Sequence, residues 1–193
     1  ENYGISFSGF RFPYLRWDEK CINALAKYNF KWDSSFTVLW DVLESKLSSE
    51  KNLMSYQNML GQYKYQRSCD CISLPKFQND ILEIPVSLPD DELLKDRLGI
   101  KDRKILSQIW DDILKQTYER GELFTLQLHP ERITIFFEAL ESVIQRARTF
   151  QPSVWIASLT DIADWWLEKG NSSFHIEIKN AREFKCNVQC SER

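Results

Sequence analysis

Between residues 4 and 169, short apolar runs alternate with longer amphipathic ones, and this limits the fold more than any other feature of the 193-residue chain. Residues 4–10 alternate as a strand. Asp18 then stands as the N-cap of a helix carrying Cys21, Ile22, Leu25 and Ala26 on one face, and Phe30-Lys31-Trp32 is the next strand. Strand, helix and strand joined by short links form a βαβ unit, whose strands run parallel. Residues 37–43 fit either element. Ser48-Ser49-Glu50 caps a helix that Gly61 ends, and residues 64–80, which have no clear period, are expected to form a long loop. Residues 81–86 form a strand with Pro85 near its end. The acids of Leu88-Pro89-Asp90-Asp91-Glu92 suit helix capping better than metal binding. Residues 101–120 form an amphipathic helix, with Ile105, Ile109, Trp110, Ile113, Leu114 and Thr117 inward and Gly121 as its stop.

The stretch 123–128 has the character of a short buried strand, with His129 at its end and Pro130 closing the ladder. A helix follows from Glu131, with Ile133, Phe136, Phe137, Leu140, Val143 and Ile144 on its apolar face. Residues 154–157 suggest one more strand, and Thr160 a cap for a helix over 161–168. The expected class is therefore α/β with a parallel sheet or barrel. At Gly170 the pattern changes, and residues from Phe174 alternate cleanly as β-strands. This places a boundary between residues 1–170 and a linker and β-segment, 171–193.

Several functions are excluded early. A net charge of −3 without a Lys/Arg cluster offers no basic field for nucleic acid, and no apolar run is long enough for a membrane span. Five cysteines and two histidines form no zinc spacing, so the cysteines are expected as reduced structural thiols. Cys186 and Cys190 could pair only by facing each other across a turn. The chain begins at Glu1, almost directly in a strand-like run, so a fragment of a longer protein is expected.

Three strand ends carry polar groups: Arg11 to Tyr14, Asp33 and His129. The carboxyl ends of parallel strands share one face, so these groups could converge. An Arg, an Asp and a His in a groove rimmed by Tyr14, Trp17 and Trp32 would suit acid/base chemistry on a sugar. The plainer reading makes His129 a packing histidine and Trp32 a core residue.

Gly9-Phe10-Arg11-Phe12-Pro13-Tyr14, Trp32-Asp33-Ser34 and Leu126-Gln127-Leu128-His129-Pro130 resemble, in order, motifs of the polysaccharide deacetylase (NodB-homology) family, carbohydrate esterase family four. Ile84-Pro85-Val86-Ser87-Leu88-Pro89-Asp90-Asp91 and the segment from Trp155 to Trp166 resemble stretches common in one bacterial branch. The resemblance covers residues 4–169. It implies the C-terminal part of a distorted (β/α)7 barrel, followed here by the start of a β-rich segment. It also implies metal-dependent hydrolytic removal of acetyl groups from an N- or O-acetylated sugar or polysaccharide.

Residue by residue, the resemblance makes His129 the general acid, has Asp33 hold and tune it, and has Arg11 orient a catalytic base. The main-chain N–H of Tyr14, following Pro13, would face the oxyanion. Leu126 and Leu128 would wall the acetyl pocket, with Trp32 beside the groove. The family's Thr-Phe-Asp-Asp and His-x-x-x-His motifs, which precede Arg-x-Pro-Tyr and bind its divalent metal, are absent here. The expectation is that an N-terminal half of the same domain is missing. This chain would then bind no metal alone, and the complete protein would hold a zinc- or cobalt-like ion. The competing expectations are a non-catalytic carbohydrate-binding or regulatory module, and a structural α/β domain in which His129 only packs.

Overall fold

The computed structural model describes residues 4, 6–47, 50–61, 63–180 and 182–190. The chain divides into two compact units, residues 1–156 and 157–193. In chain order the first contains β1 (Gly9–Phe10), α1 (Glu19–Lys27), β2 (Trp32–Asp33), β3 (Thr37–Leu39), α2 (Glu50–Leu60), β4 (Tyr65–Arg67), β5 (Lys76–Gln78), β6 (Ile81–Glu83) and β7 (Val86–Leu88). A π-helical turn (Leu93–Arg97), α3 (Arg103–Arg120), a 3-10 turn (Pro130–Arg132) and α4 (Ile133–Thr149) follow.

The unit is mixed α/β. β1, β2 and β6 run parallel, and β5 adds antiparallel to the edge of β6. β3 pairs in parallel with both β4 and β7. Among the described residues neither sheet closes into a barrel. The expected βαβ unit is β1-α1-β2. Asp18 accepts the Cys21 N–H at 2.8 Å, and α1 buries Ile22 and Leu25 with Ile81. Gly9 is dictated by close approach: a Cβ there would lie 1.9 Å from the Trp32 indole, so the ring packs directly on the strand.

Several expectations need correction. Residues 64–80 contain β4 and β5, three-residue strands too short to show a period. The run 81–86 is split: Pro85 has no N–H for a ladder, so the chain leaves one sheet after Glu83 and enters the other at Val86. Residues 123–128 form no strand. The segment is held by the Leu123 N–H to Ser73 O at 2.8 Å and the Ser87 N–H to Thr125 O at 3.1 Å, which do not make a ladder, and within it only Thr125 is buried. Residues 154–157 also form no strand, and Trp155 and Ile156 are more than half exposed. The Ser48-Ser49 cap lies outside the described residues.

α3 and α4 pack against each other over the main core. Trp110 and Phe136, both essentially buried, stack with centroids 4.9 Å apart. Truncating either to Ala would cost about 3–5 kcal/mol. α4 presents Phe136, Ala139, Val143 and Ala147 inward, at i, i+3, i+7 and i+11. Ile133 and Phe137, expected on that face, turn outward. Asp102 caps α3, and Gly121 at φ 66° ends it.

The second unit holds α5 (Leu159–Gly170), β8 (Ser173–Asn180) and β9 (Glu183–Gln189), the last two antiparallel as expected. The cap of α5 is Ser158, in a capping box with Asp161, and not Thr160: the three-residue spacing lets both side chains reach orphan N–H groups. In the hairpin Phe174, Ile176 and Ile178 stand opposite Val188, Cys186 and Phe184, and all six are exposed. The cysteines are free thiols.

Candidate functional site

A cleft of about 550 Å³ opens where the chain leaves β1 and β7. In open α/β sheets this is where ligands bind. Arg11, Pro13, Tyr14, Leu128 and His129 all border it. Trp32, Leu126 and Asp33 do not. Trp32 packs on Gly9, Leu126 packs against the main core, and Asp33 lies fully buried.

His129 ends the extended segment, and Pro130 immediately starts the 3-10 turn. Its ring Nδ1 lies 2.9 Å from Asp91 Oδ1, and its main-chain N–H donates to Asp91 Oδ2 at 2.7 Å. Asp91 is wholly buried, with the Arg132 guanidinium 3.6 Å away. A carboxylate only accepts, so this pairing keeps a proton on Nδ1. The Nε2 atom makes no hydrogen bond with another described residue, on a ring that is about one-third exposed at the cleft. Such a ring can give or take a proton at Nε2 while Asp91 fixes its orientation.

The contact expected of Asp33 is therefore made by Asp91. Asp33 instead accepts the Ser35 hydroxyl at 3.1 Å and shares a hydrogen bond with Glu83, its register partner on β6. Both carboxyls are fully buried. Desolvation raises both, and the Asp33 charge helps push Glu83 up to about 8, so the pair holds a shared proton near neutrality. Glu83 accepts the N–H groups of Ser35 and Phe36 at 3.0 and 2.9 Å. Ser35 Oγ in turn accepts the Phe12 N–H at 2.9 Å. The pair thus fixes the two loops that frame Arg11 without touching the cleft.

Arg11 donates to Ser34 O and Ser34 Oγ, both at 2.7 Å, and to Gln127 Oε1 at 3.0 Å. Gln127 Nε2 donates to Asp90 Oδ2 at 3.0 Å, and Asp90 Oδ1 caps the π-helical turn by accepting the Leu93 N–H at 2.8 Å. Burial pushes the Asp90 carboxyl up to about 6, helped by Asp91 and Glu92. One amide thus ties the Arg11 loop to the acids that open the π-helical turn.

Asp90, Asp91 and Gln127 were not among the expected site residues, although the sequence carried a signal for them. In an extended segment Gln127 and His129 share a face, so an amide between two leucines points where the histidine points. Adjacent aspartates at a helix start cannot both cap it: Asp90 caps, and Asp91 is free to reach His129.

Among the described residues no group of three or more His, Cys, Asp and Glu side chains is placed to hold a metal ion. The donors at the cleft are one imidazole bound to Asp91, Asp90 bound to Gln127 and Leu93, and Glu92 paired with Arg97 at 2.9 Å. By themselves they do not fit a divalent ion. Comparison with protein families, with curated proteins and with solved structures finds no match for the chain.

Proposed function

We propose that the cleft binds an acetylated carbohydrate and that His129, oriented by Asp91, donates the proton to the leaving nitrogen or oxygen when the acetyl group is hydrolysed. The observation that carries this reading is the 2.9 Å contact between His129 Nδ1 and buried Asp91, on a ring bordering the same cleft as Arg11 and Tyr14. The resemblance of the Arg11–Tyr14 and Leu126–Pro130 motifs to the polysaccharide deacetylase family supports it. On this reading the parallel strands β1, β2 and β6, and β4, β3 and β7, belong to the C-terminal part of a distorted (β/α)7 barrel. Pro13, Tyr14 and Leu128 touch the sugar or its acetyl group, and Arg11 sits behind them as a fixed charge. A zinc- or cobalt-like ion would need ligands from other residues of a complete protein. Among the described residues no helix is long and apolar enough to cross a membrane.

The test is acetate release from N-acetylglucosamine oligomers by the complete protein, with zinc or cobalt added. His129→Ala should lower turnover about 100-fold to 10,000-fold with little change in KM, because the proton is needed only in the transition state. Turnover that survives His129→Ala would sink the assignment. The donor set favours one second reading, a groove that binds acetylated sugars without hydrolysing them. A complete protein that binds the oligomers and releases no acetate selects it.

A further inference from the structure

One side of the cleft is not used by the chemistry above. Arg16 follows the 3-10 turn Pro13–Leu15, Tyr63 follows α2, and Arg97 ends the π-helical turn; all three border the cleft. Both guanidinium charges act on the Tyr63 hydroxyl. Burial, with Asp90 and Glu92, pushes that phenol up to about 12, so it stays a protonated donor.

The accounting of charges leaves a surplus. Arg97 gives one amino group to Glu92 at 2.9 Å and keeps the rest of its fork. Asp90 is occupied by Gln127 and Leu93. Arg16 is exposed, and its side chain has no hydrogen bond or ion pair with another described residue. The turn that delivers Arg16 is strained, because Tyr14 and Leu15 hold φ values of 57° and 55°. Such conformations cost about 1 kcal/mol or more each and persist only where the surroundings enforce them. Here the Phe12 N–H to Ser35 Oγ bond and the Arg16 N–H to Pro13 O bond hold the turn, at 2.9 and 3.2 Å.

From this convergence we infer that the cleft contains a subsite for an anionic group, a carboxylate or a phosphate, held by Arg16 and Arg97 with the Tyr63 hydroxyl as third donor. The substrate is then an acetylated sugar that is also acidic, an inference that rests on the carbohydrate reading above. Guanidinium forks bind such groups through paired charge-assisted hydrogen bonds.

The experiment is calorimetric titration of the 193-residue chain at low salt with four probes: N-acetylglucosamine, its 6-carboxylate, its 6-phosphate, and glucuronate. At least one acidic N-acetyl sugar should bind about 10-fold to 100-fold more tightly than the neutral one, with an advantage that shrinks as salt is added. The tighter of the two identifies the anion. Arg16→Gln should abolish the advantage and leave neutral-sugar binding unchanged; Arg16→Lys should restore part of it. Arg16 is exposed, so both variants should fold, and matched melting curves check this. Equal binding of neutral and acidic sugars, or Arg16→Gln weakening both alike, overturns the subsite while leaving the carbohydrate reading in place. Glucuronate binding as tightly as its N-acetylated counterpart keeps the subsite and removes the acetyl-sugar reading. Failure of every acidic probe to bind overturns the subsite.

Discussion

Two pairs of buried acids lie a few residues from the same arginine and do opposite things. Asp33 and Glu83 face each other across adjacent parallel strands and share a proton, and their oxygens accept main-chain N–H groups and the hydroxyl of Ser35. Asp90 and Asp91 are neighbours in sequence and point apart, one to Leu93 and Gln127 and the other to His129. The first pair is spent on holding loops, the second on groups that border the cleft. Burial is common to both, so burial does not decide which acid becomes functional. What sets Asp91 apart is an additional donor: besides the His129 main-chain N–H it meets the ring Nδ1 of an imidazole whose Nε2 makes no hydrogen bond with another described residue, and on the proposed reading this makes it part of a proton-transfer unit.

The comparison breaks most visibly at Asp91. Asp91→Asn keeps the shape but replaces an acceptor with a group that can also donate, so the His129 proton shifts from Nδ1 to Nε2. Turnover of the complete protein on N-acetylglucosamine oligomers should fall about 100-fold to 10,000-fold, and nitrogen NMR of the His129 ring should report the other tautomer. An unchanged tautomer would place Asp91 with the structural pair.

Glu83 sharpens the contrast through stability. Its folded pKa, about 8, lies above its ordinary 4.5, so its contribution is fully present below about pH 4.5 and is lost as pH rises through 8. Between pH 6 and pH 8 urea unfolding of the wild type should lose roughly 2 kcal/mol, and Glu83→Gln should flatten most of that slope. Stability that climbs with pH across this window would mean the pair is ionised and compensated in the fold.

The smallest effect is expected at Gln127. Gln127→Ala cuts the bridge between Arg11 and Asp90, but Ser34 still holds Arg11 and Leu93 still holds Asp90. A loss of about 1 kcal/mol in denaturant unfolding is expected. A loss several times larger would show that the bridge carries the cleft wall.

The β1-α1-β2 unit, the caps at Asp18 and Gly121, and the hairpin after Gly170 were legible because each is a local matter of period and capping. Strand partners were not. β4 and β5 are too short to have a period, and the break at Pro85 shows only once both sheets are in view. At the site, Arg11 follows strand β1 as expected, whereas His129 ends an extended segment that is not a strand; both border one cleft. Asp33 was expected beside His129 because it too ends a strand, yet it turns beneath Ser35 toward Glu83. Asp91 was hidden because a run of acids at a helix start is sufficiently explained by capping. Which acid caps depends on side-chain direction, and a string of residues does not encode that one acid at a time.

The left-handed pair Tyr14 and Leu15 has a consequence for anyone who would engineer this chain. Leu15 is buried, so glycine there would empty a core position, but glycine at the exposed Tyr14 should relieve strain and make the folded protein easier to purify and store. The same change would let the wall that carries Arg16 wander, trading geometric precision at the cleft for shelf life. A screen that rewards heat resistance alone would therefore tend to collect variants that last longer and discriminate less.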